Sequence, residues 1–229
     1  MPISEVYNCD RMDFLSKFPD KFFDLIIDDP PYGIGEDGEK NGTRSKIAIS
    51  KSYVCYSGND KDAPPKEYFQ ELIRVSKRQI IWGANHFISR IPFDSSCWIV
   101  WDKDNGMNDF ADCELAWTSF PTAVRKFKYR WHGMLQENMK NKETRIHPNQ
   151  KPIALYGWLL NNYANPGHKI GSPHMGSQSD RIAAYKLGFD FWGCDKDKHY
   201  FEAGNIRFRQ ECFGETKTSK GTLVQTSLF

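Results

Sequence analysis

The stretch Phe22-Phe23-Asp24-Leu25-Ile26-Ile27-Asp28-Asp29-Pro30-Pro31-Tyr32-Gly33 decides how this chain is read. Its first half is an apolar run with β-branched residues, the pattern of a buried strand. Two consecutive prolines then end the strand, because neither has an N–H to donate and both fix φ. This leaves an acid, two backbone carbonyls and an aromatic ring at a strand's carboxyl end, where open α/β sheets bind their ligands. The Asp29 carboxylate and the Pro30 carbonyl can accept hydrogen bonds from an amino group, and the Tyr32 ring can stack on a planar base. Such a site suits the exocyclic amine of a nucleobase. The catalytic set read from it is Asp29, Pro30, Pro31 and Tyr32, with Tyr32 contributing its ring rather than its hydroxyl.

On either side, elements alternate. Val6–Asn8 reads as a short strand, Met12–Phe18 as a helical turn or two, and Pro65–Ser76 as a helix with Tyr68, Leu72 and Val75 on one face. Gln79–Gly83 and Cys97–Trp101 read as buried strands and Glu114–Thr118 as a strand nearer an edge. Trp82, Trp98, Trp101 and Trp117 fall inside these runs and are expected in the core. After residue 150 the order is helix (152–163), strand (169–170), glycine-bearing loop (171–177), helix (179–187), strand (189–194) and helix (198–210), a parallel α/β unit. The expected fold class is α/β, a doubly wound, mostly parallel sheet in one domain, 1–210, followed by a flexible tail, 211–229.

The chain of 229 residues carries a net charge of +2, with a pI near 8.1. That balance is only mildly basic, so a nucleic-acid partner has to be argued from local charge. Six cysteines lie scattered without a Cys-x-x-Cys pair, and none of the six histidines has metal-ligand spacing, so neither a disulfide framework nor a metal site is expected. The amino terminus lacks a signal pattern and no apolar run could span a bilayer, which points to the cytoplasm.

Gly171-Ser172-Pro173-His174-Met175-Gly176-Ser177 sits between a strand and a helix, where small residues let the backbone approach a ligand. Asp195 ends the next strand, about 20 residues further on, a spacing suited to ribose hydroxyls. His147-Pro148-Asn149-Gln150-Lys151-Pro152 precedes both. Taken with Asp29-Pro30-Pro31-Tyr32, these segments resemble the DNA amino-methyltransferases in their permuted, beta-group order, of a phage-like or orphan adenine-specific type. The resemblance covers most of residues 5–210. It implies a Rossmann-like S-adenosylmethionine-dependent methyltransferase fold and transfer of a methyl group to N6 of a flipped adenine, with cytosine N4 the alternative within the class. It further implies that Lys151, Pro152, Ser172, Gly176, Ser177 and Asp195 line the S-adenosylmethionine pocket, and that Asp10 meets its adenine end. Methylation of RNA or of a protein glutamine is disfavoured, because in those relatives the cofactor loop precedes the catalytic run.

The chain departs from the family at two positions. Where the family's loop begins with Asp and ends Gly-Ser-Gly, this chain has Ser172 and Gln178. Loss of the acid at 172 is expected to weaken cofactor binding, and Gln178 adds bulk; a weakly active or non-catalytic DNA-binding relative is the further alternative.

Double-stranded DNA is the expected partner. Segment 124–147 carries Arg125, Lys126, Lys128, Arg130, Lys140, Lys142 and Arg145 interleaved with Tyr129, Trp131 and His132, and loop 34–65 carries Lys40, Arg44, Lys46 and Lys51. The last residues, Gln225-Thr226-Ser227-Leu228-Phe229, resemble the peptide with which bacterial replication proteins bind the sliding clamp; this implies contacts from Gln225, Leu228 and Phe229.

Overall fold

Strand β2 (Phe23–Asp28) lies inside an eight-stranded sheet ordered β1-β10-β9-β2-β3-β5-β4-β6. The computed structural model describes residues 1–35, 62–106, 111–132, 135–218 and 221–224. The other strands of the sheet are β1 (Ser4–Tyr7), β3 (Ser76–Trp82), β4 (Trp98–Asp102), β5 (Cys113–Thr118), β6 (Arg125–Lys128), β9 (Lys169–Ser172) and β10 (Asp190–Cys194). Pairing is parallel throughout except at β5, which runs antiparallel to both β3 and β4. The helices are α1 (Arg11–Leu15), α2 (Lys66–Val75), α3 (Ile153–Tyr163), α4 (Ser179–Lys186) and α5 (Lys198–Phe213). The described residues also form two small hairpins, β7–β8 (Trp131–His132 with Leu135–Gln136) and β11–β12 (Glu215–Thr218 with Gly221–Val224), and two 3-10 turns, Ala84–His86 and Ile88–Arg90.

Both faces of the sheet are covered, which is why β2 is an apolar run rather than an alternating one. On one face Leu25, Ile27, Ile80, Trp82, Ile99 and Trp101 pack against Leu155 and Leu159 of α3 and Ala183 and Ala184 of α4. On the other, Phe23, Ile26, Ile81 and Trp117 meet Phe14 of α1 and Tyr68, Phe69 and Leu72 of α2. The connection through α2 carries the chain from β2 to β3, and the one through α4 carries it from β9 to β10, on the other side. The order reverses between β9 and β2, so a crevice opens beyond their carboxyl ends.

Three expectations need correction. Strand β5 is not near an edge: it pairs with β3 and β4, and β6 is the edge. Glu114, the second residue of β5, belongs to the site described below. The tail from 211 is not an irregular tether over its described part. Helix α5 runs to Phe213, Gly214 caps it at φ 65°, and Glu215–Thr218 pair antiparallel with Gly221–Val224. Several cations of segment 124–147 are neutralised by β4 and the residues after it: Lys126 by Asp102 at 3.4 Å, Lys128 and Arg130 by Asp104 at 2.8 Å each. Its aromatic Trp131 is core, 5% exposed, with its indole N–H on the Gln150 carbonyl. Most of loop 34–65 and residues 225–229 lie outside the described residues. Gly33, just before that loop, lies close to Ala63 near its end: a Cβ at Gly33 would fall 2.9 Å from the Ala63 backbone nitrogen.

Candidate active site at the carboxyl ends of β2 and β9

Where β2 ends, the prolines turn the chain and Asp29 is delivered to the crevice. Its Oδ1 accepts hydrogen bonds from Lys151 Nζ at 2.6 Å and from the Tyr32 hydroxyl at 2.7 Å. Lys151 stands just before α3 and is 5% exposed. It also donates to the Tyr32 oxygen at 3.0 Å and pairs with Glu114 Oε2 at 3.1 Å. Glu114 Oε1 pairs with Lys103 at 2.5 Å. Glu114 reaches this point because β5 is antiparallel, so its beginning lies where its parallel neighbours end.

Burial pushes the Asp29 carboxyl above its ordinary range; Lys151 opposes this and Glu114 adds to it. Burial acts on Glu114 in the same way, but Lys151 and Lys103 outweigh it and bring its pKa down to about 2. Burial also pulls on the Lys151 ammonium, and the two carboxylates overcome it, so the lysine stays protonated. Tyr32 is pushed far up by burial and by Asp29, which keeps its hydroxyl a donor. The Tyr32 ring is not a free platform. It stacks on His86 with ring centres 5.4 Å apart and planes at 16°. It also lies so close to Gly83 that a Cβ there would fall 2.1 Å from Cε1, and Gly83 takes φ 68°.

Asp28, one residue earlier, is fully buried and already engaged. Its Oδ2 accepts from the Tyr68 hydroxyl and its Oδ1 meets His174 Nδ1, both at 2.7 Å. Arg11 lies 3.2 Å from His174 Nε2. Since a guanidinium only donates, Nε2 is the acceptor and Nδ1 carries the proton given to Asp28.

On the β9–β10 side an open cleft is lined by Asp10, Arg11, Pro31, His174, Asp195 and Lys196 among others. Asp195 accepts from Gly176 N at 2.7 Å and from Asp197 N at 2.8 Å, and Asp10 from Met12 N at 2.8 Å as the cap of α1. Burial raises the Asp195 pKa against these N–H donors. The other residues expected in the cofactor pocket lie behind this surface. Pro152 is the buried N-cap of α3. Ser177 is 5% exposed and its hydroxyl meets that of Ser179 at 3.1 Å. Ser172 is 1% exposed and hydrogen-bonds Asp180 of α4, whose carboxyl burial raises to about 7. Lys151 is in the Asp29 cluster. Gln178 adopts φ 60°, a conformation suited to glycine, but its side chain turns away into α4 and α5. There it donates to the Phe201 carbonyl at 3.1 Å and accepts from Arg181 at 2.8 Å.

Comparison with known proteins matches the DNA methylase family over residues 117–205, which include Lys151, the glycine-bearing loop and Asp195. By sequence and by fold, the chain is similar to DNA methylases. The type II methyltransferase M2.MboI of Moraxella bovis is 23% identical over 90% of this chain and 87% of its own. M2.DpnII of Streptococcus pneumoniae is 23% identical over 88% of each. The crystal structure of an M1.HpyAVI–SAM complex superposes with a TM-score of 0.55 at 19% identity, covering 89% of this chain and 98% of that one. The cytosine-N4-specific PvuII DNA methyltransferase gives 0.59 at 12% identity, covering 90% and 87%. The chain thus has the Rossmann-like methyltransferase fold, and the methylase likeness spans both walls of the crevice. Of the residues that build this methylase-like site, sequence reasoning missed Asp28, Tyr68, His86, Lys103, Glu114, His174 and Asp180. The signal for Glu114 was a lone acid in an otherwise apolar strand, and for His174 an imidazole within a loop of small residues.

Proposed function

We propose that the chain is an S-adenosylmethionine-dependent DNA methyltransferase that methylates N6 of an adenine flipped out of duplex DNA. The observation that carries the reading is the placement of Asp29. Its Oδ1 is fixed by Lys151 and Tyr32, while Oδ2 takes no partner among the described residues. An amine entering beside Pro30 can therefore donate to Oδ2 and to the Pro30 carbonyl. Those two acceptors localise the nitrogen lone pair, which the base ring otherwise delocalises, and they favour the positive charge that develops there. Flipping costs a few kcal/mol, and enclosure of the base in the site offsets part of it.

The cleft suits the cofactor. Asp195 is held by backbone N–H groups on both oxygens and retains lone pairs for ribose hydroxyls, and Asp10, the cap of α1 just beyond β1, lines the same cleft. S-adenosylmethionine supplies an activated methyl group carried on a sulfonium. Asp28, tied to His174 and Tyr68, braces the wall between the two halves. Asp-Pro-Pro-Tyr coming before the cofactor loop supports the permuted, beta-group assignment, and the Asp form of that motif supports adenine. Cytosine N4 is the second reading, favoured by the likeness to the PvuII enzyme. The turned-away Gln178 supports an active enzyme over a non-catalytic relative.

Among the described residues no helix is long and apolar enough to cross a membrane and no cluster of His, Cys, Asp and Glu could hold a metal. A cytoplasmic site of action fits a DNA substrate. We propose that loop 34–65 and the exposed cations Arg125, Lys140 and Lys142 meet phosphates, and that Gln225, Leu228 and Phe229 dock on a bacterial sliding clamp; the basic residues of both segments and the Gln-x-Ser-Leu-Phe pattern support this. Methylation-sensitive sequencing of DNA from cells expressing the chain or its Asp29→Ala variant tests the function. New N6-methyladenine at a short motif, absent with the variant, is the expected result; N4-methylcytosine would select the second reading.

A further inference from the structure

The charges around Asp29 are shared along a chain, Asp29–Lys151–Glu114–Lys103, rather than held in isolated pairs. With Lys151 alone, 2.6 Å away, the Asp29 charge would be cancelled. A cancelled carboxylate does little for a nitrogen that becomes positive as it gains a methyl group. Glu114 changes the count, because its Oε2 shares the same ammonium at 3.1 Å and the tyrosine hydroxyl at 3.4 Å. Asp29, Lys151 and Glu114 together carry one net negative charge. Lys103, on the far oxygen of Glu114 at 2.5 Å, brings the four groups to neutrality, but it pairs with Glu114 rather than with Asp29 and is the more exposed of the two lysines, 18% against 5%.

We infer that Glu114 is a positioning residue for the methyl transfer: it takes up the charge of Lys151 so that Asp29 stays effectively anionic toward the incoming amine. The inference rests on the methyltransferase reading and gives the antiparallel strand β5 a part in the reaction. Lys151 then serves as a tether. Its three N–H donors meet three oxygens, on Asp29, Tyr32 and Glu114, and so fix the unused Asp29 oxygen toward the crevice.

The test uses the full chain and four forms: wild type, Glu114→Gln, Glu114→Asp and the double variant Glu114→Gln, Lys151→Met. Thermal melting first establishes that each is folded. Calorimetry then compares affinity for S-adenosylmethionine, which is cationic at sulfur, with that for its neutral demethylated product. Single-turnover methylation at saturating cofactor follows. Glu114→Gln should narrow the preference for the cationic form several-fold and slow transfer roughly tenfold or more. Glu114→Asp should keep most of both. Because Lys151 opposes the burial that raises the Asp29 pKa, the comparison is run as a pH series. Once the pH is high enough to ionise Asp29 without its lysine, the double variant should transfer faster than Glu114→Gln, since removing the ammonium then leaves the negative charge uncancelled; a merely structural glutamate gives no such suppression. An unchanged preference in Glu114→Gln, or a double variant no faster than it at any pH of the series, overturns the inference. A wild-type chain that binds neither form of the cofactor overturns the methyltransferase reading and the inference with it, so the two failures are told apart.

Discussion

The two walls of the crevice satisfy buried acids in different ways. On the β2 wall, Asp29 and Glu114 are partnered by side chains: two lysines and a tyrosine. On the β9–β10 wall, Asp195 and Asp10 are partnered by backbone N–H groups. Backbone donors are fixed by the fold and respond little to a neighbour's mutation. Side-chain partners are coupled, so removing one strands another as an uncompensated buried charge. Substitutions on the β2 wall should therefore be non-additive and act on turnover. Those on the β9–β10 wall should be separable and act on binding.

Asp29→Ala should show the largest effect, a loss of transfer on the order of 10²–10³-fold or more. Lys151 keeps Glu114 as a partner, so the variant should remain folded and bind cofactor near normally. Near-normal turnover would break the assignment. Tyr32→Phe comes next. Stacking alone would leave it silent, but the hydroxyl donates to Asp29 and accepts from Lys151. Loss of a hydrogen bond to a charged group costs about 1.5–3 kcal/mol, so transfer should fall by roughly tenfold or more. Kinetics indistinguishable from wild type would return the tyrosine to a purely stacking role. On the other wall, Asp195→Ala should weaken cofactor affinity about tenfold while leaving transfer at saturating cofactor almost unchanged. A fall in the saturated rate would show that the walls are not separable.

The contrast also explains what could be read from sequence. β2 and the Asp-Pro-Pro-Tyr turn were legible because the apolar run, the two prolines and the acid lie in one short stretch. Asp195 was expected at the cleft because it directly follows a strand, and Asp10 because it lies just beyond another; both line the cleft. The side-chain cluster was not, because it depends on strand order. Glu114 is 85 residues from Asp29 along the chain, and only the antiparallel placement of β5 brings it into the site. The basic segment misled for the same reason: Lys128 lies opposite Asp102 in the parallel β4–β6 pair, next to the acid that neutralises it. The β11–β12 hairpin was missed because Glu215–Thr218 are all polar and the apolar residues of β12, Leu223 and Val224, are adjacent rather than alternating.

The smallest effect concerns stability and falls behind the β9–β10 wall, at Asp180. This acid is 4% exposed, and burial raises its pKa from 3.8 to about 7, with the Ser172 hydroxyl and backbone N–H groups opposing. A raised folded-state pKa means that the folded chain holds the proton more tightly than the unfolded one. The stabilising contribution is therefore complete below about pH 3.8 and is lost as pH rises toward 7. Asp180→Asn mimics the protonated form. Its advantage in unfolding free energy over wild type should be near zero around pH 4, grow up to about pH 7 and then level off, with a plateau of at most roughly 4 kcal/mol. The same geometry reverses the expectation that an acid at position 172 would simply improve the site. Ser172→Asp would set two carboxyl groups against each other and should lower stability most at high pH, whereas Ser172→Asp combined with Asp180→Asn should tolerate the new acid. If Asp180→Asn shows no pH-dependent gain, Asp180 is ionised and compensated in the folded chain. The wall behind the cofactor loop would then be side-chain coupled, like the wall at Asp29.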